Sequence, residues 1–333
     1  MDNRSASMPS SYWTRARDLL FSRYGKRLYL PLGLVAAGIC IGIFRPAFWT
    51  AGNINNVLVS AAFSGICACG MTILITAGLI DLSVAGVIAI SAITMAYILP
   101  KSTVGLAMTV ALLIGLSLGL VNGFVVAIMK IPPFIGTLGT LYLFLGAAFI
   151  LTHGRVVAIP SKNFRRLTTG AVGPIPMSFI VFLIFALFCG WLLHCTYFGR
   201  HIRAIGSNEE ASRLAGIPIT RTKILAFMLS GIGFSIAAIF IAGRLASAEG
   251  NMSIGFEMSV IAAVVVGGTS MRGGEGTLLG TVFGTLLFAV LSNALNLFGV
   301  GSYWQYVLLG VVLICAIAAG NLRISDVAVR GDE

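Results

Sequence analysis

Chemistry needs clustered ionisable or nucleophilic side chains, and this sequence scatters the few it has. Of its eleven acids, Asp2, Asp18, Asp326, Asp332 and Glu333 lie near the chain ends. Glu209 and Glu210 share one polar stretch, while Asp81, Glu249, Glu257 and Glu275 stand at the edges of apolar runs. No acid occupies the middle of such a run, so no proton or sodium relay through a membrane is expected. His153, His194 and His201 form no ligand spacing. The six Cys lie inside or at the ends of apolar runs, and Cys67 and Cys69, two apart, point to different sides of a helix. They read as small buried residues, neither disulfides nor metal ligands. The stretch GGTSMRGGEGT over 267–277 invites a phosphate-loop reading but lacks the lysine that such a loop needs. It reads as a tight turn between closely packed helices. The chain is therefore expected to be no enzyme and to hold no cofactor of its own.

The polar groups left for a ligand are amides. Asn122, Asn293, Asn296 and Gln305 all stand in apolar surroundings. An amide both donates and accepts, which suits a neutral, hydroxyl-rich solute and leaves no unpaired charge in a low dielectric. The same amides could equally serve as hydrogen-bonding glue between helices.

The elements that position these groups follow from composition. Of 333 residues, 58% are hydrophobic and only 10% charged, with a mean hydropathy of +0.98. Soluble domains are roughly 25% charged. A soluble fold has no place for so much apolar surface, so the fold class is an all-α integral membrane protein. About ten transmembrane helices are expected, at 28–44, 57–79, 82–99, 103–129, 133–151, 177–194, 223–243, 257–271, 277–298 and 303–320. Segments 53–60 and 246–256 are ambiguous and leave room for nine or eleven. The separation of 171 residues recurs between Asn122 and Asn293 and between Gly139 and Gly310. With five spans per half, this fits an inverted 5+5 repeat.

The net charge of +11 is no sign of nucleic-acid binding, because the Lys and Arg sit in short stretches between apolar runs. With a cytoplasmic N-terminus, Arg4, Arg15, Arg17, Arg23, Lys26, Arg27, Lys130, Arg200, Arg203, Arg213, Arg221, Lys223, Arg272, Arg323 and Arg330 are inside. Arg45, Lys101, Arg155, Lys162, Arg165, Arg166 and Arg244 are outside. That split of 15 to 7 places both termini in the cytoplasm and loop 152–176 outside. Residues 1–27 form a basic tail, either lying on anionic lipid or disordered. A transmembrane domain at 28–320 and a cytoplasmic tail at 321–333 follow.

The most informative stretch is the cytoplasmic loop 195–223. Ser207 followed by Glu210 reads as a capping box, Gly216 suits the position just past a helix, and Pro218 prevents continuation. A helix over 208–216 results, with Ala211, Leu214 and Ala215 as one apolar stripe. It either fits a partner's groove or lies on the membrane surface. Asp81 or Ser83 can cap the third span, and Pro132-Pro133 can begin the fifth.

This loop resembles the coupling loop of permease subunits in the ribose/galactose/xylose class of bacterial ABC importers. The pattern G-x-N-x-x-A-x-x-x-G-I is met by Gly206, Asn208, Ala211, Gly216 and Ile217. A second family motif appears as Gly78-Leu79-Ile80-Asp81-Leu82-Ser83-Val84-Ala85, with Leu79 and Ala85 where glycines are usual. A third is Ile131-Pro132-Pro133-Phe134-Ile135-Gly136-Thr137-Leu138-Gly139-Thr140, and a fourth occupies 261–276. The resemblance covers roughly 50–320 and extends to branched-chain amino-acid permeases.

It implies the ABC permease fold in the bacterial inner membrane and a pathway formed with a second permease copy. A cytoplasmic ATPase would bind ATP and Mg and dock on Gly206, Asn208, Glu209, Glu210, Ala211, Leu214 and Gly216. A periplasmic binding protein would deliver a sugar or polyol. Asn122, Phe134, Asn293, Asn296 and Gln305 are the candidate pathway residues. The rivals are an amino-acid permease of the same kind and a self-sufficient secondary transporter or channel.

Overall fold

The computed structural model describes residues 25–301, 303–307, 310, 311 and 314. Residues 1–24 of the basic tail, most of the tenth expected span and the C-terminal tail lie outside these. The elements run as α1 (Gly25–Phe44), a 3-10 turn (Pro46–Trp49), α2 (Ala51–Thr76), α3 (Val84–Ile98), α4 (Val104–Ala127) and α5 (Pro133–Thr152). Then come β1 (Val157–Ala158), α6 (Lys162–Thr169), β2 (Ala171–Val172), β3 (Ile175–Pro176), α7 (Met177–Cys195), α8 (Tyr197–Ser207) and α9 (Glu209–Leu214). The described part ends with α10 (Ile219–Leu245), β4 (Ser247–Ala248), α11 (Phe256–Val266) and α12 (Leu278–Leu297).

Seven of these helices are long and apolar enough to cross a membrane: α2, α3 with its 3-10 extension to Lys101, α4, α5, α7, α10 and α12. Segment 53–60 belongs to α2, which settles one ambiguity of the sequence. The expected span 257–271 is shorter than predicted. Helix α11 has 11 residues and rises about 17 Å, roughly half a hydrocarbon core. It stops because Gly267 ends the helix and Gly268 turns left-handed at φ +88°.

Helices α2, α3 and α10 form the interior. Helix α3 is buried on nearly every side, as a helix apolar all round must be. On α4, α5 and α7, by contrast, large apolar residues such as Leu113, Leu143, Ile150 and Leu187 face outward, as lipid-facing surface does. Lipid offers no hydrophobic drive between helices, so close approach must supply the attraction. Gly115, Gly119 and Gly123 recur every four residues on α4 and lie against Gly231, Phe227 and Ile224 of α10. A β-carbon on Gly119 would stand 2.9 Å from the Met228 Cα. Gly86 admits Phe144, and Gly65 admits Phe182. Leu79 and Ala85, the two departures from the family's glycines, are both buried, so packing there is closed.

The loops gather at two ends. At one, Gly274 N–H donates to Thr76 O at 2.8 Å and Leu82 N–H donates to Thr137 Oγ1 at 3.0 Å. At the other, β1 pairs antiparallel with β4, and Tyr97 Oη donates to Leu151 O at 2.9 Å. The first end holds the segments expected inside and the second those expected outside. Among described side chains, however, the basic residues divide evenly, seven to each end. The expected excess of 15 to 7 rests on basic residues near the two ends of the chain, whose side chains lie outside the described ones.

Loop 152–176 is ordered as β1, α6 and the β2–β3 hairpin, with Phe164 and Thr168 of α6 buried and Thr168 packed on Gly243. Ser161 caps α6 and is half-buried, whereas Asn163 is exposed and suits a reporter. In intact cells a cysteine replacing Asn163 should react with a membrane-impermeant maleimide, as one replacing exposed Arg213 should not. The opposite labelling pattern would invert the orientation.

Candidate solute pathway and coupling segment

Between α8 and α9 the chain breaks at Asn208, whose backbone is extended at φ −160°, ψ 106°. Its Oδ1 accepts from Ala211 N–H at 2.9 Å and caps α9. The expected capping box on Ser207 is therefore not formed. Ser207 is the last residue of α8, and its Oγ donates backward to Arg203 O at 2.9 Å. Helix α9 is also shorter than 208–216, at six residues. Gly216 adopts φ +78°, and Ile217 N–H donates to Ser212 O at 3.1 Å, closing the helix end as expected. Lys223 Nζ reaches Glu209 Oε2 at 2.7 Å and ties α9 to α10. Arg213 lies 3.3 Å from Glu210 Oε2. Ser212 faces inward, whereas Ala211, Leu214 and Ala215 face out, and Leu214 is 84% exposed. An apolar stripe presented outward by a capped, pinned helix is shaped to enter a groove.

At the opposite end a cleft of about 630 Å³ opens between α2, α11, α12 and the residues after α12. Its polar lining comes from Asn53, Asn56, Ser60 and Ser64 on α2, Ser292, Asn293 and Asn296 on α12, Ser259 on α11, and Gln305. Phe256 and Phe288 add apolar walls, and Arg244 is the single charged residue among the described residues of the lining. Asn53 and Asn293 exchange hydrogen bonds in both directions, at 3.0 and 2.7 Å. Gln305 Nε2 donates to Asn296 Oδ1 at 3.0 Å, and Arg244 Nη2 to Asn56 Oδ1 at 3.3 Å. These are exchangeable partners: a solute hydroxyl can replace either side of an amide pair.

Of the five residues expected along a pathway, Asn293, Asn296 and Gln305 meet in this cleft. Asn122 does not. It is fully buried near the other end, where Nδ2 donates to Ser83 Oγ at 2.7 Å and to Asp81 Oδ2 at 3.1 Å. Its Oδ1 accepts from Thr140 Oγ1 at 2.6 Å. Here the amide knits α4 to α5 and to the turn before α3. Phe134 is half-exposed in the first turn of α5 and lines no part of the cleft.

The expected side-chain cap on α3 is also absent. Asp81 Oδ1 instead accepts from Ser83 N–H at 2.8 Å and from Ser83 Oγ at 2.7 Å. Asp81 lies between α2 and α3, at the edge of an apolar run as expected, and is 1% exposed. Burial pushes this carboxyl above its ordinary value, while the hydrogen bonds from Ser83 and Asn122 pull it down. Glu257, likewise expected at a boundary, is buried at the start of α11.

The polar cleft residues not anticipated are Asn53, Asn56, Ser60, Ser64, Arg244, Ser259, Ser292 and Tyr306. A signal for four of them was present. Polar residues at 53, 56, 60 and 64 repeat at helical spacing and make one stripe along an otherwise apolar helix.

A bundle of apolar helices with a polar cleft at one end and a docking-shaped helix at the other defines a membrane permease. Residues 53–317 match the model of the permease component of the branched-chain amino acid transport system. The L-arabinose transport system permease protein AraH of Escherichia coli (strain K12) is 40% identical over 291 residues, covering 84% of this chain and 85% of that one. The ribose import permease protein RbsC of Bacillus subtilis (strain 168) is 37% identical over 310 residues, covering 91% and 95%. RbsC of Haemophilus influenzae is 36% identical over 296 residues, covering 87% and 91%. No solved structure matches. The chain belongs to this family and is a multi-pass permease subunit of an ABC importer, not an enzyme. The family implies an ATPase and a periplasmic binding protein as partners.

Proposed function

We propose that the chain forms the pathway for a sugar or polyol across the bacterial inner membrane. The observation that carries this reading is the cleft: amides and hydroxyls in quantity, with one arginine and no acid among its described lining residues. A neutral polyhydroxyl solute finds donors and acceptors there. A zwitterionic amino acid brings an ammonium group that no carboxylate in the lining would meet. The names of the relatives, arabinose and ribose permeases, favour the same class.

In this reading both termini are cytoplasmic, 28–320 is one permease domain, and two copies form the pathway. ATP and Mg are bound by the partner ATPase, which docks on Ala211 and Leu214 of α9. The binding protein delivers solute to the outer end, where the Asn53–Asn293 pair receives it. An inverted repeat fits the element lengths. Shifted by 171, α2, α3 and α4 fall on α10, α11 and α12 to within about three residues at each end. The test is uptake of labelled pentoses, hexoses and polyols against labelled leucine, with and without this gene and its neighbouring binding-protein gene. Gene-dependent sugar or polyol uptake is expected. Leucine uptake with no sugar or polyol signal would overturn the assignment in favour of an amino-acid permease.

A further inference from the structure

The glycine-rich run 267–277 lines no part of the cleft and makes no part of α9, yet the fold sets it where the two could communicate. Gly274 N–H donates to Thr76 O, the last turn of α2, at 2.8 Å. Gly206, in the last turn of α8, lies against both: a β-carbon there would overlap Thr76 O and crowd Gly274 N. A β-carbon on Gly273 would come within 2.6 Å of Gly206 O and 2.9 Å of its Cα. One on Gly274 would stand 2.5 Å from Ser207 Oγ, and one on Gly276 would overlap Thr76 Oγ1. Three main chains therefore meet with almost no side chain between them: the end of α2, the end of α8 and the loop that leads into α12.

Such a joint has little slack, because close-packed backbone atoms transmit displacement instead of absorbing it. Its connections are specific. Gly206 is two residues from Asn208, the cap of α9. Helices α2 and α12 carry Asn53 and Asn293, the amides that meet across the cleft. One turn above the joint, the Thr72 and Thr281 hydroxyls are 2.6 Å apart and hold α2 to α12. From Thr72 to Asn53 the helix rises about 28 Å. A small rotation about the threonine pair thus becomes a larger separation at the amide pair.

We propose that the Gly206–Thr76–Gly274 joint is the positioning element that carries movement of α9 to α2 and α12, and so governs the opening of the cleft at Asn53 and Asn293. The proposal rests on the reading of α9 as the ATPase-docking helix.

The test uses the complete transporter. Gly273→Ala and Gly274→Ala place methyl groups in the joint, at φ +86° and +79°. Gly268→Ala imposes the same backbone strain, at φ +88°, where nothing lies within 4 Å. The joint variants should copurify with the ATPase and hydrolyse ATP, yet lose about tenfold or more of the uptake per ATP consumed. Gly268→Ala should keep that ratio. An unchanged ratio in the joint variants, or an equal loss in Gly268→Ala, would overturn the proposal. Wild-type protein supplies a second arm that needs no altered chain to fold. A non-hydrolysable ATP analogue added to the full complex should shift hydrogen exchange over 267–277 together with 209–214. A shift at 209–214 alone would overturn the joint. A shift at neither would overturn the docking role of α9, and the joint's proposed task with it.

Discussion

Ala211→Arg should abolish uptake while leaving the membrane domain folded. Ala211 is exposed, and its N–H, not its side chain, receives the Asn208 cap, so α9 survives the change. Fold stability should move by less than about 0.5 kcal/mol, as surface substitutions do. Docking is another matter. An arginine in the middle of the Ala211–Leu214–Ala215 stripe carries an unpaired charge into a surface that the partner must desolvate. Truncating a central interface contact costs about 2 kcal/mol or more, and burying an uncompensated charge costs more still. Association with the ATPase should fall on the order of 100-fold, and uptake with it. The measurement is copurification of the ATPase from detergent, beside uptake at matched expression. Normal uptake by Ala211→Arg would remove α9 from the docking surface. Exchanges on the inward face, at buried Ser212, should instead lower the amount of folded protein.

Gly119→Leu should prevent accumulation of the folded chain altogether. The α4–α10 contact is main chain against main chain. The first carbon beyond Gly119 Cα already meets Phe227 O and stands 2.9 Å from Met228 Cα. No rotamer avoids atoms that belong to the backbone. The two helices must separate, which opens the contacts at Gly115 and Gly123 on the same face. Overpacking of a tight core costs about 1–3 kcal/mol where side chains can yield, and more is expected where they cannot. Fluorescence-detected size exclusion of a fusion protein should show loss of the monodisperse peak. Gly146→Leu on α5, where nothing lies within 4 Å, should keep it. Equal peaks from the two variants would show that the close approach is not what holds α4 to α10.

How far each feature was legible in the sequence depends on the range of the interaction behind it. Gly216 after α9 is legible in the sequence because left-handed backbone past a helix is a local event that glycine permits. The sequence points to Ser207 as the cap and the structure to Asn208, because both residue types suit the position. Only the length of α8 decides which of them leaves the helix. Asn122 and Asn293 looked equivalent, each an amide within an apolar run. Their difference is tertiary, since Asn122 has Asp81, Ser83 and Thr140 for neighbours and Asn293 has Asn53 across an open cleft.

By itself the sequence determined the solvent, the helical class and the family. Apolar runs of spanning length with 10% charged residues admit only a bilayer, and four ordered motifs mark the permease resemblance. The tertiary structure decided which polar groups share a space. Residue spacing along one helix reveals a stripe such as 53, 56, 60 and 64, but not what faces it. Only the packing of helices more than 200 residues apart in the chain brings Asn53 to Asn293 and Thr72 to Thr281. The same holds for Gly206, Thr76 and Gly274. A glycine in the sequence marks permission for close approach, and the partner that uses it is set by the fold.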